Sequence, residues 1–344
     1  MHLSTSWIWN ITPANYTFTN GTSATSQNPE VVFNAIGSYS ITLIAINSYG
    51  SDTISKVNEI VINPLPGLPI VETFINTAIT DFTINNADNG TTWTKGDVDG
   101  PTGVKSAAMY MDYFNYNAAG TTDGLLSPTF DIAGSTTPPF MFALRYAPYS
   151  ANYFDQLAVI VSSDCGNNFD TLYLKEGAAL ATMPATNSTF VPGGSSEWRT
   201  DTVSLANLSS NQVQFEFVGI CGYGNNLYLD NIRVIDLGVS AATANLNLPS
   251  IICEDEPFFF SLSSTDTTVQ GEFGLNRSGA SVVTTYNGMG THSSTLTTPL
   301  DYHLEYVYYN AFTFVADSAL LIPGPKLQPQ FSLSLAGNLK YNFQ

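Results

Sequence analysis

Hydrophobic and polar positions in this chain alternate with the period of strands. Tyr39, Ile41 and Leu43 are separated by Ser40 and Thr42, and Val213, Phe215 and Phe217 by Gln214 and Glu216. Successive strand residues face opposite sides, so these runs predict half-buried strands. Phe140 to Leu144 and Leu157 to Val161 are near-continuous apolar runs of strand length. Turn signals punctuate the pattern, among them Asn20-Gly21 and Asn47-Ser48-Tyr49-Gly50. No stretch carries a convincing helical period. The expectation is an all-β chain of tandem β-sandwiches.

At 344 residues the chain is long enough for two or three domains. Residues 1–63 read as strands only. Prolines at 64, 66 and 69 mark a linker over 64–69, because proline stiffens the chain and cannot donate to a ladder. Residues 70–237 hold many strand-sized runs at sandwich spacing, and 245–323 a weaker set. A second linker at Pro323-Gly324-Pro325 leads into 326–344.

Three acids fall in apolar strand phases of the central segment. Glu72 is in phase with Ile70 and Phe74, Asp155 with Leu157 and Val159, and Asp230 with Ile232 and Val234. A carboxylate on a core-facing phase is costly unless something pairs with it. Cations are scarce: Lys and Arg total 10 against 28 Asp and Glu, a formal charge of -18. That field excludes nucleic acid as a partner and suits divalent cations. Asp97, Asp99, Asp112 and Asp123 read as loop acids, also suited to calcium.

Residues 1–63 carry Trp7-x-Trp9, Gln27-Asn28-Pro29, Gly37 to Leu43 and Asn47 to Asp52 in that order. The set resembles the PKD domain, an immunoglobulin-like sandwich of extracellular proteins that acts as a spacer or interaction module. The likeness begins mid-domain, and Pro329 onward resembles the opening of another such domain. The chain is therefore expected to be truncated at both ends, with 245–323 as a further immunoglobulin- or PKD-like sandwich.

The central segment has Glu72-Thr73-Phe74, Trp93, Asp123 to Pro128, Asp155-Gln156-Leu157, Ser162 to Gly166, Trp198-Arg199 and Tyr228 to Ile232. Together they resemble the MAM-like or cleaved-adhesin jelly rolls of secreted Bacteroidetes proteins. The resemblance implies structural calcium held by the first and last strands, hence by Glu72 and Asp230, with Asp155 as a further candidate. It also implies an accessory or adhesion region of a secreted or cell-surface protein, such as a metalloprotease with its catalytic domain elsewhere. The alternative is a carbohydrate-binding module using Tyr146, Tyr149, Tyr153 and Tyr223 as stacking platforms.

No catalytic residues are assigned. His2, His292 and His303 are far apart, and neither a His-Glu-x-x-His motif nor a phosphate loop is present. Gly193-Gly194-Ser195-Ser196 lacks the second glycine of a nucleophile elbow. Cys165, Cys221 and Cys253 make neither a scaffold nor a zinc set; Cys165 and Cys221 could pair in an oxidising compartment. No apolar run reaches the roughly 18 residues of a membrane helix, so no insertion is expected. Composition points to an extracellular location, and the resemblances imply a protein or glycan partner.

Overall fold

A computed structural model describes residues 4–75, 82–133, 139–164, 166–206, 208, 210–235, 242–277, 282–297, 301–310, 313–325, 333–335 and 341–343. Its regular elements are strands almost throughout. The exceptions among the described residues are one helical turn, α1 (Gly177–Leu180), and two 3-10 turns at Tyr113–Asn115 and Ser195–Glu197. The all-β expectation holds. No helix among the described residues is long and apolar enough to cross a membrane.

The chain divides into two units, Met1–Leu65 and Pro66–Gln344. The first contains β1 (Ser6–Thr12), β2 (Tyr16–Thr19), β3 (Glu30–Phe33), β4 (Gly37–Asn47) and β5 (Gly50–Ile62). β1, β4 and β5 form one sheet, and β2 and β3 pair across a loop, 20–29, that opens with Asn20 and Gly21, both with positive φ. Tyr39 is its buried anchor, packing on Phe33 at 4.5 Å and donating its hydroxyl to the Ala35 carbonyl. Trp7 and Trp9 are both half-buried, and the Trp9 indole donates to the Ser26 carbonyl.

The second unit opens with a jelly-roll-like sandwich. Its strands are β6 (Ile70–Glu72), β7 (Thr83–Asn86), β8 (Thr94–Asp99), β9 (Lys105–Met111), β10 (Thr122–Asp131), β11 (Pro139–Tyr146), β12 (Gln156–Ser162), β13 (Asp170–Glu176), β14 (Arg199–Ser204), β15 (Gln212–Ile220) and β16 (Leu227–Val234). One sheet runs β13-β12-β15-β10-β7. The other runs β14-β11-β16-β9-β8, with β6 also paired to β16. The inward phases of both sheets meet in one apolar core, where Phe140 stacks on Phe215 at 4.4 Å. Interdigitated inner faces of this kind are the standard source of sandwich stability.

A second core follows, built by β17 (Asn245–Asn247), β18 (Pro257–Ser263), β19 (Gln270–Arg277), β20 (Val282–Asn287), β21 (His292–Thr295), β22 (Tyr302–Asn310) and β23 (Thr313–Leu321). Their sheets run β17-β18-β21 and β20-β19-β22-β23. Ile75, Val307 and Tyr309 are buried together, with Val71 and Phe314 against them, so this sandwich packs on the β6 side of the preceding one. A last hairpin joins β24 (Leu333–Leu335) to β25 (Tyr341–Phe343). Most of 326–344, the residues around Gly238 and Cys165 lie outside the described residues, and the Cys165–Cys221 pairing with them.

Candidate functional site

Asp155 organises one end of the central sandwich. It stands immediately before β12, and its carboxylate is fully buried. Oδ1 accepts from the N–H groups of Gly222 at 2.8 Å and Gly224 at 3.1 Å. Oδ2 accepts from the Asn225 N–H at 2.8 Å and from the Tyr146 hydroxyl at 3.2 Å. Burial pushes the Asp155 carboxyl up to about 6, and these donors pull it back toward the ionised form. The approach is too close for side chains on the β15–β16 loop. A Cβ at position 222 would lie 1.9 Å from the Phe154 carbonyl oxygen, and one at 224 would lie 2.1 Å from Asp155 Oδ2.

The clamp continues through two asparagines. Asn225 Oδ1 accepts from the Phe190 N–H, and its Nδ2 donates to the carbonyls of Thr186 and Ser188. Asn226 Oδ1 accepts from the Phe114 N–H. Loops from four parts of the chain, around residues 114, 150, 188 and 223, are thereby tied to one another. On this end the Phe114 and Tyr149 rings lie 6.3 Å apart, and Tyr149 and Tyr153 also 6.3 Å. Tyr149, Tyr153 and Tyr223 are 37%, 51% and 43% exposed. A groove of about 600 Å³ abuts the same loop, lined by Pro148, Ser150, Phe154, Glu176 and Met183 among others.

Tyr146 does not belong to this surface. It continues the core phase of Phe140, Phe142 and Leu144, is fully buried, and spends its hydroxyl on Asp155. The sequence reading also missed Phe114, which reaches the aromatic row from the 3-10 turn at Tyr113–Asn115.

Glu72 and Asp230 lie on paired strands of the central sandwich, on the side where the next sandwich packs. β6 pairs with β16 so that Glu72 lies opposite Ile232. A bulge interrupts β16, with Asn231 at φ 47, a conformation asparagine tolerates better than most residues. Leu227 and Leu229 before the bulge and Ile232 and Val234 after it all enter the core. Asp230 therefore does not share a face with Ile232 and Val234, contrary to the alternation read from the sequence. Burial raises its pKa well above the carboxylate range, and the fields of Glu305 and Glu72 raise it further.

Glu305, on β22, accepts from the Thr102 hydroxyl at 2.8 Å, while burial pushes its pKa up to about 7. Ser106 lowers that value without reaching hydrogen-bond geometry, and Glu305 Oε2 has no partner. Thr73 donates to Glu272 across the same junction, and the Arg233 guanidinium lies 4.5 Å from the Phe314 ring. Lys95 stands in the field of Glu72, Asp97 and Asp230. The predicted trio is thus not one cluster. Asp155 binds Asn225, which is five residues and roughly 16 Å along the chain from Asp230. Among the described residues no three His, Cys, Asp or Glu side chains are arranged to hold a metal.

No protein-family model and no curated protein matches the chain. Solved structures do. The K1 cleaved adhesin domain of Lys-gingipain from Porphyromonas gingivalis is similar at 20% identity and a TM-score of 0.38, covering 50% of this chain and 100% of that one. Carbohydrate-binding modules from the β-sandwich superfamily are similar at 14% identity and a TM-score of 0.31, covering 67% of this chain and 85% of theirs. A β-1,2-glucanase from Parabacteroides distasonis is similar at 12% identity and a TM-score of 0.36, covering 76% of this chain and 38% of that enzyme. At these scores the likenesses carry no statement about ligand or activity.

Proposed function

We propose that this chain is a non-catalytic binding region of a secreted or cell-surface protein, and that the loop end of its central sandwich binds a saccharide. The observation that carries this reading is the aromatic row Phe114, Tyr149 and Tyr153, exposed at its tip and mounted on loops clamped by Asp155, Asn225 and Asn226. Sugar rings present apolar C–H faces that stack on such side chains, and the phenol hydroxyls can bond the sugar rim. Loops already fixed by hydrogen bonds lose little entropy when a ligand arrives. The acidic, lysine-poor composition fits an extracellular setting and gives no reason to expect a polyanionic glycan.

The test is retention of the full chain on a panel of neutral polysaccharides, beside the double variant Tyr149→Ala, Tyr153→Ala. Each ring is worth about 1 kcal/mol of stacking, so the pair should cost at least tenfold in affinity. The fold should survive, because both side chains are solvent-facing. Equal retention of the two proteins, or no retention of the unchanged chain by any polysaccharide, overturns the reading.

A further inference from the structure

The central sandwich contains another buried acid, and its surroundings are the reverse of those of Asp155. Asp123 sits on β10 two residues before Leu125, which enters the core. It is 1% exposed, and neither of its carboxylate oxygens has a hydrogen-bond partner. Its cross-strand neighbour is Asn86, whose Oδ1 is also buried and without a partner. Thr92 Oγ1 is a further buried oxygen lacking one. Asn86 commits its Nδ2 to the Gly90 carbonyl at 3.0 Å, so the oxygen is the end left over. Asp88, two residues on, bonds the Gly90 N–H through Oδ1 and the Tyr116 hydroxyl through Oδ2. Burial pushes the Asp123 carboxyl up, Thr92 draws it down without reaching hydrogen-bond geometry, and the Asp88 charge adds a smaller upward push.

The Asp123 carboxylate and Asn86 Oδ1 can only accept, and the two hydroxyls near Asp123, those of Thr92 and Tyr113, do not reach hydrogen-bond geometry with it. A single proton on Asp123 would leave its second carboxylate oxygen with no donor in reach. A water has two hydrogens to offer. A divalent cation that takes six to eight oxygens in a flexible geometry answers the whole set, and calcium is that cation. We propose that calcium binds here, held by both oxygens of Asp123, by Asn86 Oδ1 and Thr92 Oγ1, and by Asp88 once it releases the Tyr116 hydroxyl. Backbone carbonyls and water complete its coordination. The ion ties the 86–93 segment to β10. This is a different place from the Glu72–Asp230 pair, which has Lys95 in its field.

Trp93 provides the readout, because its indole donates to the Asp123 carbonyl at 3.0 Å. Terbium, which replaces calcium at oxygen sites, should luminesce when the tryptophans of the full chain are excited. Calcium should displace it. Emission should fall strongly in Trp93→Phe, vanish in Asp123→Asn and survive in Asp230→Asn. Asp88→Asn, at an exposed position, should fold normally and weaken terbium binding at least tenfold; it decides the matter if Asp123→Asn does not fold. Absent emission from the unchanged chain overturns the proposal, as does emission that Asp123→Asn or Asp88→Asn leaves intact.

Discussion

Asp155 and Asp123 are the same residue in the same sandwich, both buried, and they face opposite company. Three N–H groups and a tyrosine hydroxyl converge on Asp155, whereas no donor reaches hydrogen-bond geometry with the Asp123 carboxylate and the Asp88 charge lies near it. A buried carboxylate ringed by donors is a structural hub that needs nothing further. One that no donor reaches is the place where calcium is proposed. Burial alone does not separate the two cases; the direction of the neighbouring dipoles does.

The sharpest break in that contrast comes from removing the hub. Asp155→Ala strands the N–H groups of Gly222, Gly224 and Asn225 and the Tyr146 hydroxyl in a buried site. We expect a loss of about 4 kcal/mol in denaturant unfolding of the central sandwich, the scale of a broken buried charge network. Saccharide retention should fall with it, since the aromatic loops lose their clamp. A loss below about 1 kcal/mol would mean that Asp155 is not the organiser.

Glu305 stands between the two cases, with one oxygen bonded to Thr102 and the other bare. In the folded chain its carboxyl stays protonated up to about 7, while the unfolded chain releases that proton near 4.5. The folded state therefore holds the extra proton between those values, and stability falls as pH rises through that window. The full effect is about 3 kcal/mol, most of it gone by pH 7. Glu305→Gln is neutral throughout and should flatten the pH dependence of the melting temperature between pH 5 and 8. Asp230, also raised and in the field of Glu305, leaves a residual slope. An unchanged profile in the variant would show that Glu305 is already ionised.

The strands were legible because alternation and turn residues are local signals; so was the all-β class. Tyr146 was legible too, since it continues the phase of Phe142 and Leu144, but its chemistry drew it into the surface set. The phase of Asp230 was not, because a single bulge at Asn231 inverts the count and nothing in the local pattern announces it. Asp123 was read as a loop acid because of its Gly- and Thr-rich neighbours, although it shares the phase of Leu125. The N–H donors around Asp155 come from residues 222–225, some seventy positions away, and alternation within one strand does not report on them.

The smallest effect is the most direct test, because it separates the acid proposed to hold calcium from the others. The full chain, Asp123→Asn and Asp230→Asn are melted in excess calcium and in chelator, following the central sandwich. Binding to the folded state alone raises its melting temperature by several degrees at saturation. The unchanged chain and Asp230→Asn should both melt higher in calcium, and Asp123→Asn should melt at the same temperature in either solution. A calcium shift that persists in Asp123→Asn, or disappears in Asp230→Asn, would contradict the account.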